Sequence, residues 1–173
     1  MAERKIMKKV CLLGDAAVGK TSLIRRYVYD MFDDKYIVTF GAKVTTKRLS
    51  LNFSREDVDI TLIIWDILGQ RVHDSLHAGH YRGAKGAFIV CDLTRKETLH
   101  NMEIWMEKFI DVVGKVPIIL LGNKADLPHG TTQDELKRIA NKSNIQYFPT
   151  SAKTGQNVED AFRTLATIMV EGS

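Results

Sequence analysis

Gly14-Asp15-Ala16-Ala17-Val18-Gly19-Lys20-Thr21 brings together the residue types that polyphosphate chemistry requires. Glycines let the backbone approach a phosphate chain and turn its N–H groups inward, an anion nest at a helix N-terminus. Lys20 adds a point charge for β- and γ-phosphates, and the Thr21 hydroxyl can ligate a bridging Mg2+. Asp15, Ala16, Ala17, Val18 and Ser22 complete the candidate cradle. The stretch follows the apolar run Val10-Cys11-Leu12-Leu13 and leads into the helix-like Ser22-Leu23-Ile24-Arg25-Arg26-Tyr27, the strand-to-helix setting this pattern needs. A plain glycine turn would not call for the Lys-Thr pair.

Further along stands Trp65-Asp66-Ile67-Leu68-Gly69-Gln70. An aspartate closing an apolar strand fits a second magnesium-supporting position, acting through a metal-bound water. Gly69 can offer its N–H to a γ-phosphate because no Cβ blocks the approach, and Gln70 can orient an in-line water. Asn123-Lys124-Ala125-Asp126 and Ser151-Ala152-Lys153 then select a base. A carboxylate at Asp126 can accept from both N1–H and the 2-amino group of guanine. Adenine offers neither, at a penalty of roughly 1–3 kcal/mol for the unpaired group. The Lys124 stem can lie over the base, and the Ala152 N–H can reach O6.

The elements that carry these residues alternate apolar runs with amphipathic stretches, an α/β pattern. Strands are expected at about Lys5–Leu13, Lys43–Leu51, Val58–Asp66, Ala87–Cys91, Val116–Leu121 and Ile145–Phe148. Helices are expected at about Lys20–Tyr29, from the capping box Thr94-Arg95-Lys96-Glu97 to Val113, at Thr131–Asn141, and after Asn157. Met31–Gly41 has neither periodicity, and Ile67–Tyr81 reads as irregular or weakly helical. Trp105 falls in a helical apolar stripe and reads as core. His73, His77 and His80 lack an acidic or cysteine companion, so exposed polar residues are expected there rather than a metal site.

At 173 residues the chain is expected to form one domain, residues 1–173. A charged fraction of 27% and 45% hydrophobic content are ordinary for a globular chain. No apolar run approaches the ~20 residues of a membrane span, and the N-terminus has no signal-peptide core. The net charge of +4 is scattered rather than gathered into a stripe, which argues against nucleic acid as partner. Cys11 and Cys91 sit in apolar runs and read as buried thiols in a reducing, cytoplasmic setting.

These four motifs together, each after its own strand, resemble those of a small GTPase of the Ras superfamily. Trp65-Asp66…Gly69-Gln70 and Tyr81-Arg82-Gly83-Ala84 look most like the Rab branch. The resemblance implies a six-stranded, mostly parallel sheet with one antiparallel pair and five helices. It implies a GTP/GDP switch with Mg2+ as cofactor. Met31–Gly41 resembles switch I, with Thr39 on Mg2+ and γ-phosphate, Phe32 edge-on to the base and Tyr36 closing over the phosphates. Ile67–Tyr81 resembles switch II. Gln70, Lys20 and Thr39 carry the catalytic roles. Effector, exchange-factor and activating proteins are expected on 31–45 and 67–82, with the chain a monomer.

Departures from the family pattern carry expectations of their own. Ala16 crowds the space around Gln70, so slow intrinsic hydrolysis is expected. A nucleotide-binding adaptor with little or no turnover is the alternative. No arginine stands where it could act in cis, with Ile37 in its place, so activation in trans is expected. Ile67-Leu68 replaces the usual Thr-Ala, and Arg71 replaces a glutamate that in relatives takes part in nucleotide exchange. Val44 and His80 beside Trp65, with Lys43, alter the effector-reading surface. Val170-Glu171-Gly172-Ser173 carries no prenylation motif, so membrane attachment is expected only where a tail or partner supplies it.

Overall fold

Six strands carry the apolar runs: β1 (Ala2–Leu13), β2 (Ala42–Asn52), β3 (Glu56–Ile67), β4 (Ala84–Asp92), β5 (Ile118–Asn123) and β6 (Gln146–Pro149). They form one sheet in the order β2-β3-β1-β4-β5-β6. Only the β2–β3 pair is antiparallel, and the remaining pairings are parallel. This is the expected mostly parallel α/β architecture. The computed structural model describes residues 2–33, 41–69 and 74–172.

Around the sheet lie α1 (Lys20–Tyr29), α2 (Asp74–Tyr81), α3 (Lys96–His100), α4 (Met102–Val113), α5 (Thr132–Ser143) and α6 (Val158–Glu171). Alternate residues of β1 feed two cores, because strand side chains point to opposite faces. Val10 and Leu12 join Ile60, Leu62, Phe88, Tyr27 and Phe162 under α1 and α6. Cys11 and Leu13 join Ile89, Leu93, Trp105, Phe109 and Leu136 under α2 to α5. Both cysteines are free and buried, as expected, and burial pushes the Cys11 thiol up to about 12 and Cys91 further still. No helix among the described residues is long and apolar enough to cross a membrane.

The sheet order reverses around β1, whose neighbours β3 and β4 lead away on opposite sides. Ligands of open α/β sheets bind outside the carboxyl ends of strands at such a point. The Gly14–Thr21 loop emerges there, with Asp66 at the end of β3 and Asn123 at the end of β5.

Several local expectations are corrected. Within the stretch expected to be irregular or weakly helical, residues 74–81 form a regular helix. The helix expected from Thr94 to Val113 is divided at Asn101 into α3 and α4. None of the expected side-chain caps forms. Thr94 donates to Asp92 Oδ1 (2.6 Å), and Asn157 donates to the Pro149 carbonyl (2.8 Å). At α5 the Thr131 backbone carbonyl accepts from Asp134 and Glu135, without its side chain. The histidines are not simply exposed either. His77 is buried between Tyr81 and Trp105, His80 is half-buried beside Trp65, and His73 lies outside the described residues.

Candidate functional site

The loop between β1 and α1 is held in shape by its surroundings. Lys20, 5% exposed, turns back and donates from Nζ to the carbonyls of Gly14 (2.9 Å) and Asp15 (3.0 Å). Asn123 Nδ2 donates to the Val18 carbonyl (2.9 Å), and Lys124 Nζ to that of Ala17 (3.1 Å). Ala17 takes a left-handed φ of 63°, the alternation of handedness that turns successive N–H groups to one side as an anion nest. Gly19 (φ 103°) admits no side chain, since a Cβ there would lie 2.2 Å from Asn123 Nδ2. Ser22 follows in the first turn of α1, half-buried.

Burial lowers the Lys20 ammonium to about 8, against the opposing pull of the Asp66 and Asp15 carboxylates. A buried cation facing loop carbonyls gains most from an anion brought within reach. The Thr21 hydroxyl donates to Asp66 Oδ2, so the two described residues expected around Mg2+ are in direct contact. A hydroxyl and a buried carboxylate are the hard oxygen donors that Mg2+ prefers, and the donor set fits the ion. Gly69 presses on the loop from β3. A Cβ there would stand 2.5 Å from Ala16 N and 2.6 Å from the Asp15 carbonyl carbon, both backbone atoms.

The two segments expected to select the base form one unit. The Asn123 side-chain oxygen accepts from Thr150 Oγ1 (3.2 Å) and from the Ala152 N–H (3.3 Å). Ser151 Oγ donates to Asp126 Oδ1 (2.7 Å), tying the second segment to the carboxylate of the first. Asn123, Ser151 and Ala152 are buried, whereas Asp126 and Lys153 stand at the surface. Lys124 adopts a left-handed φ of 64°, which turns the chain sharply out of β5. Phe32 is exposed beyond α1. Tyr36, Thr39 and Gln70 lie outside the described residues.

Other residues participate that motif spacing did not reveal. The Asp15 carboxylate faces away from the cradle and accepts from Asn101 Nδ2 (2.7 Å) and Trp105 Nε1 (2.8 Å). Trp105 is thus core, as its periodicity implied, and also a tether for the loop. Arg26 reaches from α1 to the carbonyls of Ala152 (2.8 Å) and Lys153 (2.6 Å), bracing the base segment. Asp92, at the end of β4, receives Lys124 (2.8 Å) and Arg95 (3.1 Å) on one oxygen. Burial alone would raise the Asp92 pKa, but bonds from Lys124, Thr94 and Arg95 hold it below its usual value. A charged residue at the carboxyl end of an apolar strand was the available signal for Asp92. Near Trp65, Lys9 lies over the indole, 3.8 Å from its centre, and donates to the Arg82 carbonyl (2.7 Å).

The family model for the Ras family matches residues 9–171. Among curated proteins, the chain is 39% identical to the Ras-related protein RABG3f of Arabidopsis thaliana, over 95% of this chain and 83% of that protein. It is 39% identical to Ras-related protein Rab-7a of Dictyostelium discoideum, over 95% and 83% of the two chains. It is 40% identical to Ras-related protein Rab7 of Cenchrus ciliaris, over 95% and 82%. With a nucleotide-shaped loop at the sheet's switch point and similarity along nearly its whole length, the chain belongs to the Ras family, on its Rab branch, and is a GTP-binding, GTP-hydrolysing switch.

Proposed function

We propose that residues 1–173 work as one G domain in which the site grips a guanine nucleotide with Mg2+ and signals the loss of its terminal phosphate in membrane trafficking. In this reading Lys20 and the N–H groups of residues 14–19 take the phosphates, with Ser22 at the start of α1. Thr21 and Thr39 hold Mg2+ directly and Asp66 holds it through water. Held by these residues, Mg2+ would supply positive charge to offset that of the phosphates. Gln70 orients the attacking water, and the Gly69 N–H meets the γ-phosphate. Asn123, Lys124, Asp126, Ser151, Ala152 and Lys153 read the base, with Phe32 and Tyr36 flanking the nucleotide. Thr39 and Gly69 share the γ-phosphate as partner, so its removal relaxes segments 31–45 and 67–82 together. Those segments are the contact surface for effectors, exchange factors and activators. The protein acts as a monomer in the cytoplasm, with peripheral membrane attachment supplied by a tail or partner.

The supporting observation is Asn123. Its amide nitrogen holds the phosphate loop at Val18 while its oxygen holds the base segment at Ala152 and Thr150. One side chain therefore couples the two halves of a nucleotide site. Nothing favours the non-hydrolysing adaptor over the switch. The test is base preference. Asp126→Asn reverses the donor–acceptor sense at the 2-position, so GTP affinity should fall and a xanthine nucleotide should gain. Competition binding that shows unchanged preference would defeat the base-reading assignment.

A further inference from the structure

Five successive carbonyls of the phosphate loop are each held by a side chain. Lys20 takes Gly14 and Asp15, Lys124 takes Ala17, and Asn123 takes Val18. Ala16 is held by Arg95, whose Nη2 donates to its carbonyl at 2.9 Å. The first three holders belong to the phosphate and base motifs. Arg95 belongs to none of them, and it arrives from just beyond the carboxyl end of β4, 79 residues away in sequence.

The bond has a directional consequence. In a trans peptide the C=O and the following N–H point opposite ways. Pinning the Ala16 oxygen outward therefore turns the Ala17 N–H back across the peptide, and pinning the Ala17 oxygen does the same for Val18. The adjacent left-handed residue, Ala17, makes this peptide the one most able to flip without its anchors. Arg95 is itself fixed. Its Nε donates to Asp92 Oδ2 (3.1 Å), the oxygen that also receives Lys124 (2.8 Å). Its own backbone is set by Arg95 N–H to the Asp92 carbonyl (2.9 Å) and by Thr98 N–H to its carbonyl (3.1 Å). Asp92 is 1% exposed, so a single buried carboxylate fastens two cations that hold consecutive loop carbonyls.

We propose that Arg95 is a positioning residue for the phosphate loop: braced by Asp92, it locks the Ala16–Ala17 peptide in its anion-facing orientation and so sets how long a nucleoside diphosphate or triphosphate stays bound. The inference rests on the nucleotide reading above. Arg95 acts through Ala16 and has no assigned contact with substrate. Arg95 also adds to the positive potential of Lys20 and Lys124 where the phosphate chain sits, and its field is one of the influences holding Lys20 down.

The test is release of a fluorescent GDP in excess unlabelled GDP and Mg2+, with competition by GDP and GMP measured in parallel. Wild-type protein, Arg95→Ala, Arg95→Gln and Lys96→Ala are compared. Lys96, the next residue and the first of α3, pairs instead with Glu135 (3.4 Å) and controls for charge and helix damage. Arg95→Ala should speed GDP release about tenfold. Arg95→Gln keeps a donor but loses the brace on Asp92, so it should speed release at least threefold. It also carries the test alone should the alanine variant fail to fold. Lys96→Ala should stay within twofold. The loss should be larger for GDP than for GMP, which reaches less of the loop, whereas general loosening of the fold would weaken both alike. Release from either Arg95 variant within twofold of wild type, or equal losses for GDP and GMP, would overturn the proposal. Wild-type protein that failed to retain GDP would instead overturn the nucleotide reading, and this inference with it.

Discussion

Exchanging the charge between Asp15 and Asn101 tests whether the phosphate loop is tethered to the helical layer. The Asp15 carboxylate accepts from Asn101 Nδ2 at 2.7 Å and from Trp105 Nε1 at 2.8 Å. Asp15→Asn is isosteric, so no cavity enters the comparison. An amide oxygen can keep one of those donors, but its NH2 then meets the other donor head-on. A hydrogen bond to a charged group contributes about 1.5–3 kcal/mol and a neutral one about 1 kcal/mol. Asp15 is half-buried, so the lower end of the charged range applies. Two charged bonds replaced by one neutral bond predict a loss of about 2 kcal/mol, up to roughly 30-fold in the folding equilibrium. Asn101→Asp alone sets two carboxylates against each other and should cost a similar amount. The double swap restores complementarity. The amide at position 15 can then accept from Trp105 and donate to the carboxylate at position 101, an acid at the start of α4 where the helix dipole favours it. Urea unfolding of the four proteins in one buffer gives the coupling energy. It should exceed about 1.5 kcal/mol in favour of the swap. Strictly additive losses would refute the tether.

Three other outcomes follow from the same geometry. The Lys20 ammonium titrates near 8 and phosphate oxygens favour its charged form, so nucleotide binding at pH 8 to 9 should take up a proton and weaken as pH rises; calorimetry in buffers of different ionisation enthalpy would show no buffer dependence if Lys20 were fully charged throughout. Gly69→Ala drives a methyl into the backbone of Asp15 and Ala16 and should cost about 1–3 kcal/mol in unfolding experiments, as overpacking does; a neutral substitution would mean the contact relaxes freely. The family resemblance implies that the Ala16 methyl crowds the catalytic glutamine, so Ala16→Gly should raise the single-turnover rate of GTP hydrolysis, and an unchanged rate would count against the crowding argument.

The sequence alone determined the chemistry of the cradle and the order of the elements. Gly19, Lys20 and Thr21 after an apolar strand, Asp66 at a strand end, and Asn123 with Asp126 are short-range patterns whose residue types follow from phosphate, metal and base recognition. The apolar run Val10-Cys11-Leu12-Leu13 in β1 and the alternation of Val58, Ile60, Leu62 and Ile64 in β3 likewise announced which residues would be buried. Other features were decided only when distant segments met. Thr94, Thr131 and Asn157 sit where helices begin, and local spacing assigns them to caps. Instead Thr94 and Asn157 bond to Asp92 and Pro149, and α5 starts on the Thr131 backbone carbonyl. His77 looks polar in a polar stretch, but α2 turns it against Trp105 and buries it. Asp15 and Trp105 are 90 residues apart, and Ala16 and Arg95 are 79 apart. Periodicity reports which face of an element is covered, not which polar atom across the fold will complete a hydrogen bond there. That choice belongs to the packing of β4, α3 and α4 onto the loop after β1. There, the need to satisfy buried donors and carbonyls selected the partners.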